Sequence, residues 1–298
     1  MTRLNLEWLE TFTTVIRLGS FSAAANQLNL SQPAVSQHMR QLEHHMGVRL
    51  AERSGKTLRP TPAGTLLLHK IVQIQQVLEE THQIIADYTE DVIGHVLLGT
   101  GATACIHLLP AVLGQLRLDY PRLTVGVCTG NTREIVQSVI DNRIDAGLVA
   151  LPVTTNSLDI TPVLEEELVA ISNMPMVSGP MSPALLQAQP LILFETGSST
   201  RALIESWFAD GSLIPQPVME LGSIEAIKEM VATGLGVSIV PRMSVTRPTD
   251  AERYHVLALN PPLMRKLAVV TRHDKPVNKV LRLVLERIKA SAETITSP

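Results

Sequence analysis

"SQPAVSQHMRQLEHHMG", residues 31–47, decides how the rest of the chain is read. Ser31 is a good helix cap, and Pro33 falls in the first turn, where a missing N–H costs nothing. Val35, Met39, Leu42 and Met46 are spaced 4, 3 and 4, which makes a narrow inward stripe. Pro33, Gln37, Arg40 and His44 fall roughly opposite, with Ser36 on the flank and Gln32 at the exposed tip. Just upstream, Ser20 caps "FSAAANQL", whose Phe21, Ala24, Ala25 and Leu28 turn inward, and "NLS" makes a tight turn at Asn29. A first helix through Trp8, Leu9, Phe12, Val15 and Ile16 ends at Gly19. Two helices joined by a short turn, the second with an amide- and Arg-bearing outer face, form a helix-turn-helix pattern.

The outer face carries the right chemistry for DNA. Gln pairs bidentately with adenine and Arg with guanine, while Ser and backbone N–H groups at a helix start hold phosphate. Gln32, Pro33, Ser36, Gln37 and Arg40 are therefore expected at or near base edges and phosphates, with Ser31 at the helix start. "LAERSGKTLRP" (50–60) reads as two short strands about Ser54-Gly55, a basic wing presenting Arg53, Lys56 and Arg59 to phosphates. Any small helical bundle has a solvated polar face. The caps, turn, polar tip and basic hairpin together point to double-stranded DNA.

Charge supports this division. The chain has 298 residues and a net charge of −3, yet residues 1–60 hold seven Lys/Arg against four Glu, which leaves the remainder at −6. A small basic head on an acidic body suits a polyanion partner for the head. Hydrophobic residues at 45% supply real cores, and aromatics at 3% leave those cores to Leu, Ile, Val, Ala and Met. Two cysteines, Cys105 and Cys128, are too few for a disulfide framework and fit a reducing cytoplasm. No apolar run has membrane-spanning length, and "MTRLNLEWLETF" does not read as a signal peptide.

The head is expected to occupy residues 1–61 and a long linker helix 62–90. Thr61-Pro62 caps that helix, in which Leu67, Ile71, Ile74, Leu78, Thr81, Ile85 and Tyr88 alternate by 4 and 3. A 3.5-residue period is a two-helix seam, so the linker is expected to make a dimer that offers two recognition helices to inverted half-sites. Residues 91–298 alternate strand-like runs ("HVLLGT", "LTVGVCT", "DAGLVAL", "LVAIS", "PLILF", "PVMEL", "GVSIV", "KLAVVT") with helical stretches at 105–118, 131–141, 199–209, 223–232 and about 276–292. That alternation indicates parallel sheet covered by helices.

Residues 12–64 resemble the LysR-type transcriptional regulators, through the Gly-Ser-Phe-Ser-x-Ala-Ala opening, Ser-Gln-Pro-Ala-Val-Ser-Gln and Leu-Glu-x-x-x-Gly. Ala51 stands where the family usually has Phe, and Pro60 where it often has Leu. The resemblance implies an α+β multidomain chain: a winged helix-turn-helix, a linker helix and a periplasmic-binding-protein-like body of two α/β subdomains, 91–160 with 266–298 and 161–265. It also implies effector bound between the subdomains, assembly as a dimer of dimers, and an effector-dependent change in DNA bending and in contact with RNA polymerase.

In open α/β sheets, ligands lie beyond the C-terminal strand ends, against helix N-termini. Four loops qualify: Thr100, Gly101, Ala102 and Thr103 after the first strand; Thr129, Gly130 and Asn131 after the second; Ala150 after the third; and Glu195, Thr196, Gly197, Ser198, Ser199, Thr200 and Arg201 in the second half. Arg201 is the expected clamp on a carboxylate or phosphate. The last loop resembles the family's Glu-x-Gly-Ser-Gly-Thr-Arg segment, with Ser199 replacing the second Gly, and Ser223 and Ile224 are expected at the opposite wall. The effector expected from this set is a small anionic metabolite.

Two other readings compete. "GTGATA" matches a dinucleotide-binding fingerprint, but "TVGVCTGN" has no acid to hold a ribose, and no catalytic elbow or His-Glu-x-x-His exists, so no enzyme activity, cofactor or metal is expected. His44 and His45 diverge on a helix and lack further ligands at metal spacing. Cys105 and Cys128 could form a thiol switch near the cleft, although a free Cys is more often a small buried hydrophobe. The reading is thus a cytoplasmic bacterial transcription factor.

Overall fold

The computed structural model describes residues 4–54, 57–86, 92–176 and 179–296. Lys56 and Tyr88, and with Tyr88 the last part of the expected linker, lie outside the described residues. The chain forms two compact units, Met1–Glu80 and Thr81–Pro298.

The head begins with helices α1 (Leu6–Leu18), α2 (Phe21–Leu28) and α3 (Gln32–Met46). Each start is capped by a side chain: Asn5, Ser20 and Ser31 accept from Glu7, Ala23 and Ala34 N–H groups. Gly19, Asn29 and Gly47 end the three helices with φ of 64°, 54° and 69°. That left-handed geometry suits Gly and Asn and turns the chain sharply. Leu9, Phe12, Val15, Ala24, Ala25, Val35, Met39 and Leu42 are buried together, so the apolar stripes of the three helices close one core.

Strands β1 (Ala51–Ser54) and β2 (Thr57–Pro60) form the antiparallel wing, and α4 (Pro62–Ala86) follows. Thr61 caps α4, accepting from Gly64 N–H at 3.0 Å and donating to Arg49 O at 2.8 Å. The seam expected along α4 is partly used inside the head. Ile71 is buried, and Leu67 and Ile74 pack on the same core as Phe12. The three-helix head leaves an apolar opening that α4 covers. Leu66, Val72, Val77 and Leu78 remain exposed on this helix.

In the body, β3 (Gly94–Thr100), α5 (Ala102–His107), α6 (Leu109–Asp119), β4 (Leu123–Thr129), α7 (Thr132–Ile140) and β5 (Ala146–Ala150) form parallel β-α-β units. The helix expected at 105–118 starts earlier and breaks at Leu108, which caps the end of α5 and the start of α6, and Pro110 lies in the first turn of α6. Strand β6 (Leu158–Ser172) leads to α8 (Pro183–Gln187), β7 (Leu191–Phe194), α9 (Ser199–Asp210), β8 (Pro217–Leu221), α10 (Ile224–Ala232), β9 (Ser238–Pro241) and α11 (Pro248–Ala251). Strand β10 (His255–Arg272) and α12 (Lys279–Thr296) complete the unit.

One sheet runs β4-β3-β5-β10-β6-β9, and β7 and β8 make a small parallel pair. Strands β6 and β10 are antiparallel along nearly their whole length. Their two ends lie in different cores. Leu164 and Leu267 pack with Val96, Leu98, Leu116 and Val284, whereas Leu168 and Leu259 pack with Phe194, Ile204, Phe208 and Ile227. The body is therefore two packed halves on one shared ribbon. Among the described residues no helix is long and apolar enough to cross a membrane.

Candidate DNA-reading helix and ligand cleft

On α3, Gln32, Pro33, Gln37, Arg40 and His44 are exposed and Ser36 is half-buried, as the stripe requires. Ser31 Oγ accepts from Ala34 N–H at 3.3 Å, and with Pro33 lacking an N–H the Gln32 N–H is the free donor of the first turn. The helix is locked from behind. Thr11 is 1% exposed and its Oγ1 donates to Glu7 O at 2.8 Å. With that hydrogen committed, His38 Nδ1–H donates to Thr11 Oγ1 at 2.9 Å. Glu43 Oε1 accepts from Leu50 and Ala51 N–H groups at 2.8 and 3.3 Å, tying α3 to the start of the wing. Leu58 N–H donates to Gly19 O at 3.1 Å, tying the wing to the end of α1. The wing is thus fixed at two points, to α3 through Glu43 and to the end of α1 through Gly19. Arg53 and Arg59 are both exposed, but Arg53 lies opposite Leu58 and Arg59 opposite Glu52, so alternation puts them on opposite faces of the ribbon. Glu43 was legible only as part of a sequence signature; its partners, seven and eight residues on, give it a structural task.

The body holds a cleft of about 360 Å³ between its halves. Gly101, Ala102 and Thr103 line it from one loop, Thr129, Gly130 and Asn131 from the next, and Ala150 from the end of β5. Glu195, Ser198, Ser199 and Thr200 face them from the second half, with Ile224 beside them. Asn131 and Glu134 close a reciprocal cap at the start of α7, with bonds of 2.9 and 3.0 Å. Ser199 Oγ donates to Thr132 Oγ1 at 2.8 Å, a direct bond between the two halves.

Five expected residues do not line the cleft. Thr100 is fully buried and its hydroxyl donates to Leu148 O at 3.0 Å. Thr196 donates to Glu220 at 3.3 Å, and Gly197 makes the turn before α9 with φ of 94°. Ser223 caps α10, and Gly222 takes its place on the wall. The expected clamp is corrected too. Arg201 is 5% exposed and its guanidinium is occupied by Glu205 at 2.7 Å, Phe194 O at 2.7 Å and Glu220 at 3.0 Å. In the first turn of α9 its long side chain folds back against β7 and β8 and not toward the cleft.

The cation on the cleft floor is Arg265, from β10. It is 4% exposed, donates through Nη1 to Thr200 Oγ1 at 3.0 Å and through Nε to Glu166 Oε1 at 3.0 Å, and its Nη2 also meets that oxygen. Arg265 and Glu166 are register partners on β10 and β6. The signal was a lone Arg beside an apolar run ("MRKLAVV") matched by the acidic run "EEEL".

A second contact joins the halves behind the cleft. His107 on α5 is 3.2 Å from Glu225 on α10, and Lys228, 2% exposed, donates to Ser244 O at 2.6 Å and lies 3.3 Å from Asp250. Burial holds the His107 imidazole below its ordinary pKa, against the pull of Glu225. Cys105 and Cys128 are free and half-buried, and neither lines the cleft. Among the described residues no group of His, Cys, Asp and Glu has the arrangement of a metal site.

A winged helix-turn-helix head and a two-half α/β body with a polar cleft define the class of two-part DNA-binding regulators that carry an effector-binding domain. Two family profiles match: "Bacterial regulatory helix-turn-helix protein, lysR family" over residues 6–65, and "LysR substrate binding domain" over residues 89–293. The chain belongs to the LysR family of DNA-binding transcription regulators. It is 34% identical over 293 residues to YeiE of Escherichia coli K12, described as an uncharacterized HTH-type transcriptional regulator, covering 95% of this chain and 96% of that one. It is 31% identical over 300 residues to the HTH-type transcriptional activator CmpR of Synechocystis, covering 99% and 98%. Full-length CbnR in complex with its target DNA has the same fold, with a TM-score of 0.73 at 21% identity over 97% of this chain and 100% of that one.

Proposed function

We propose that this regulator binds promoter DNA at inverted half-sites through α3 and that a small anionic metabolite in the body cleft controls that binding. The observation that carries the effector reading is the convergence on one cleft of the loops at Gly101–Thr103, Thr129–Asn131 and Ser198–Thr200 with a buried guanidinium. Hydroxyls and free N–H groups at the starts of α7 and α9, with Arg265 beneath, are donors suited to an anion.

Gln32, Gln37 and Arg40 read base edges, Pro33 and Ser36 pack beside them, Ser31 and the first turn hold phosphate, and the wing adds Arg53, Lys56 or Arg59. The exposed apolar residues of α4 support a dimer, doubled to a tetramer on DNA, and the bound effector alters contact with RNA polymerase in the bacterial cytoplasm. Arg40 is exposed, so its replacement reads out on DNA and not on folding. Arg40→Ala weakens one half-site sequence by about 1–3 kcal/mol if Arg40 reads a base. If it holds only phosphate, all sequences weaken alike and the salt slope falls by roughly one. Fluorescence anisotropy on promoter DNA distinguishes these, and unchanged binding refutes both. Calorimetry with carboxylates and sugar phosphates tests the effector; binding of only neutral or cationic compounds refutes the anionic reading.

A further inference from the structure

The charges around the cleft narrow the ligand class further, and this step rests on the effector reading above. Thr103 is 8% exposed, lines the cleft, and its hydroxyl has no hydrogen-bond partner among the described residues. The hydroxyl opens on the cleft, where a ligand oxygen can accept from it in place of water. Thr200, 6% exposed, accepts from Arg265, so its own O–H is left to donate. It sits in the first turn of α9, a helix of 12 residues with free N–H groups at its start.

The carboxylates set the charge limit. Arg265 is the only cationic side chain among the described lining residues, and Glu166 already holds it in a buried pair. Glu134 and Glu195 are exposed on the cleft wall, so the lining carries more negative than positive charge. Donor hydroxyls and helix dipoles can seat one negative charge there, but each further charge meets the wall carboxylates unscreened by a free cation. We propose that the cleft takes a compact, singly charged oxyanion, seated by Thr103, Thr200 and Arg265, and discriminates against dianions and sugar bisphosphates. The same chemistry is offered by a small monocarboxylate and by an inorganic monoanion.

The test uses the full chain, with thermal unfolding and calorimetry against acetate, pyruvate, nitrate, sulfate and fructose 1,6-bisphosphate. Expected is binding of a monoanion at least tenfold tighter than sulfate or the bisphosphate, carboxylates and nitrate revealing which source is preferred. Thr103→Val should weaken that binding roughly tenfold or more, and Thr103→Ser should retain it. Glu195→Gln, an exposed change, should narrow the gap between the monoanion and sulfate. Tightest binding of sulfate or the bisphosphate overturns the inference but leaves an anionic effector. A Thr103→Val variant that binds like the parent overturns it as well, as does the absence of binding by all five probes. The effector reading itself falls if the compound that alters promoter binding is held outside the cleft, or if only neutral or cationic compounds bind.

Discussion

Replacing Gly64 by Ala tests the packing that holds the wing to the head. Gly64 lies in the first turn of α4, where Ala would ordinarily gain about 1 kcal/mol from helix propensity. Here a Cβ would stand 2.0 Å from Leu50 O, 3.0 Å from Leu50 C and 3.3 Å from Phe12 Cζ. The first two are backbone atoms, so α4 and the start of β1 must separate. Separation loses the bond from Thr61 N–H to Leu50 O at 3.0 Å, beside a residue 2% exposed. Overpacking costs about 1–3 kcal/mol and a buried unsatisfied carbonyl about as much, so after the propensity gain the head should lose roughly 1–5 kcal/mol. The two tryptophans make the assay local: Trp8 is in the head and Trp207 in the body, so urea unfolding followed by fluorescence in a Trp207→Phe background reports the head. A Gly64→Ala head as stable as its parent would refute the reasoning.

Two further expectations concern the body. His107 is held below its ordinary value of 6.5, so as pH falls through that value the unfolded chain takes up a proton that the folded chain refuses. Stability should therefore decline from about pH 6.5 down to the folded pKa and then level off, and His107→Gln should lose that part of the pH dependence in thermal unfolding; an unchanged profile removes His107 as the cause. Arg201→Met should destabilise the body by about 1–3 kcal/mol by leaving Phe194 O without its donor, yet leave ligand affinity within a factor of two. A large loss of affinity without loss of stability would restore Arg201 as a clamp.

The head was legible because its determinants are local. Caps at Ser20 and Ser31, the turn at Asn29 and the Val35–Met39–Leu42 stripe act within a few residues of one another. The alternation of the body was legible for the same reason. Arg201 and Arg265 show where this stops. Both are Arg residues at a candidate site, and what separates them is the direction each side chain takes in three dimensions. Arg201 returns to a carbonyl seven residues back, while Arg265 meets a carboxylate 99 residues away. The 3.5-residue period of α4 likewise identified an apolar face without saying that Ile71 would lie against the head's own core.

The shared β6–β10 ribbon has a topological consequence. The body's chain enters at β3 and leaves at α12, and both belong to the half that contains Leu164 and Leu267. The other half is an excursion, reached and left only along two neighbouring strands. Any tilt of that half must bend the ribbon where Arg265 and Glu166 face each other, and must also shift the Ser199–Thr132 and His107–Glu225 contacts. A ligand that alters this one crossing addresses the whole excursion at its root.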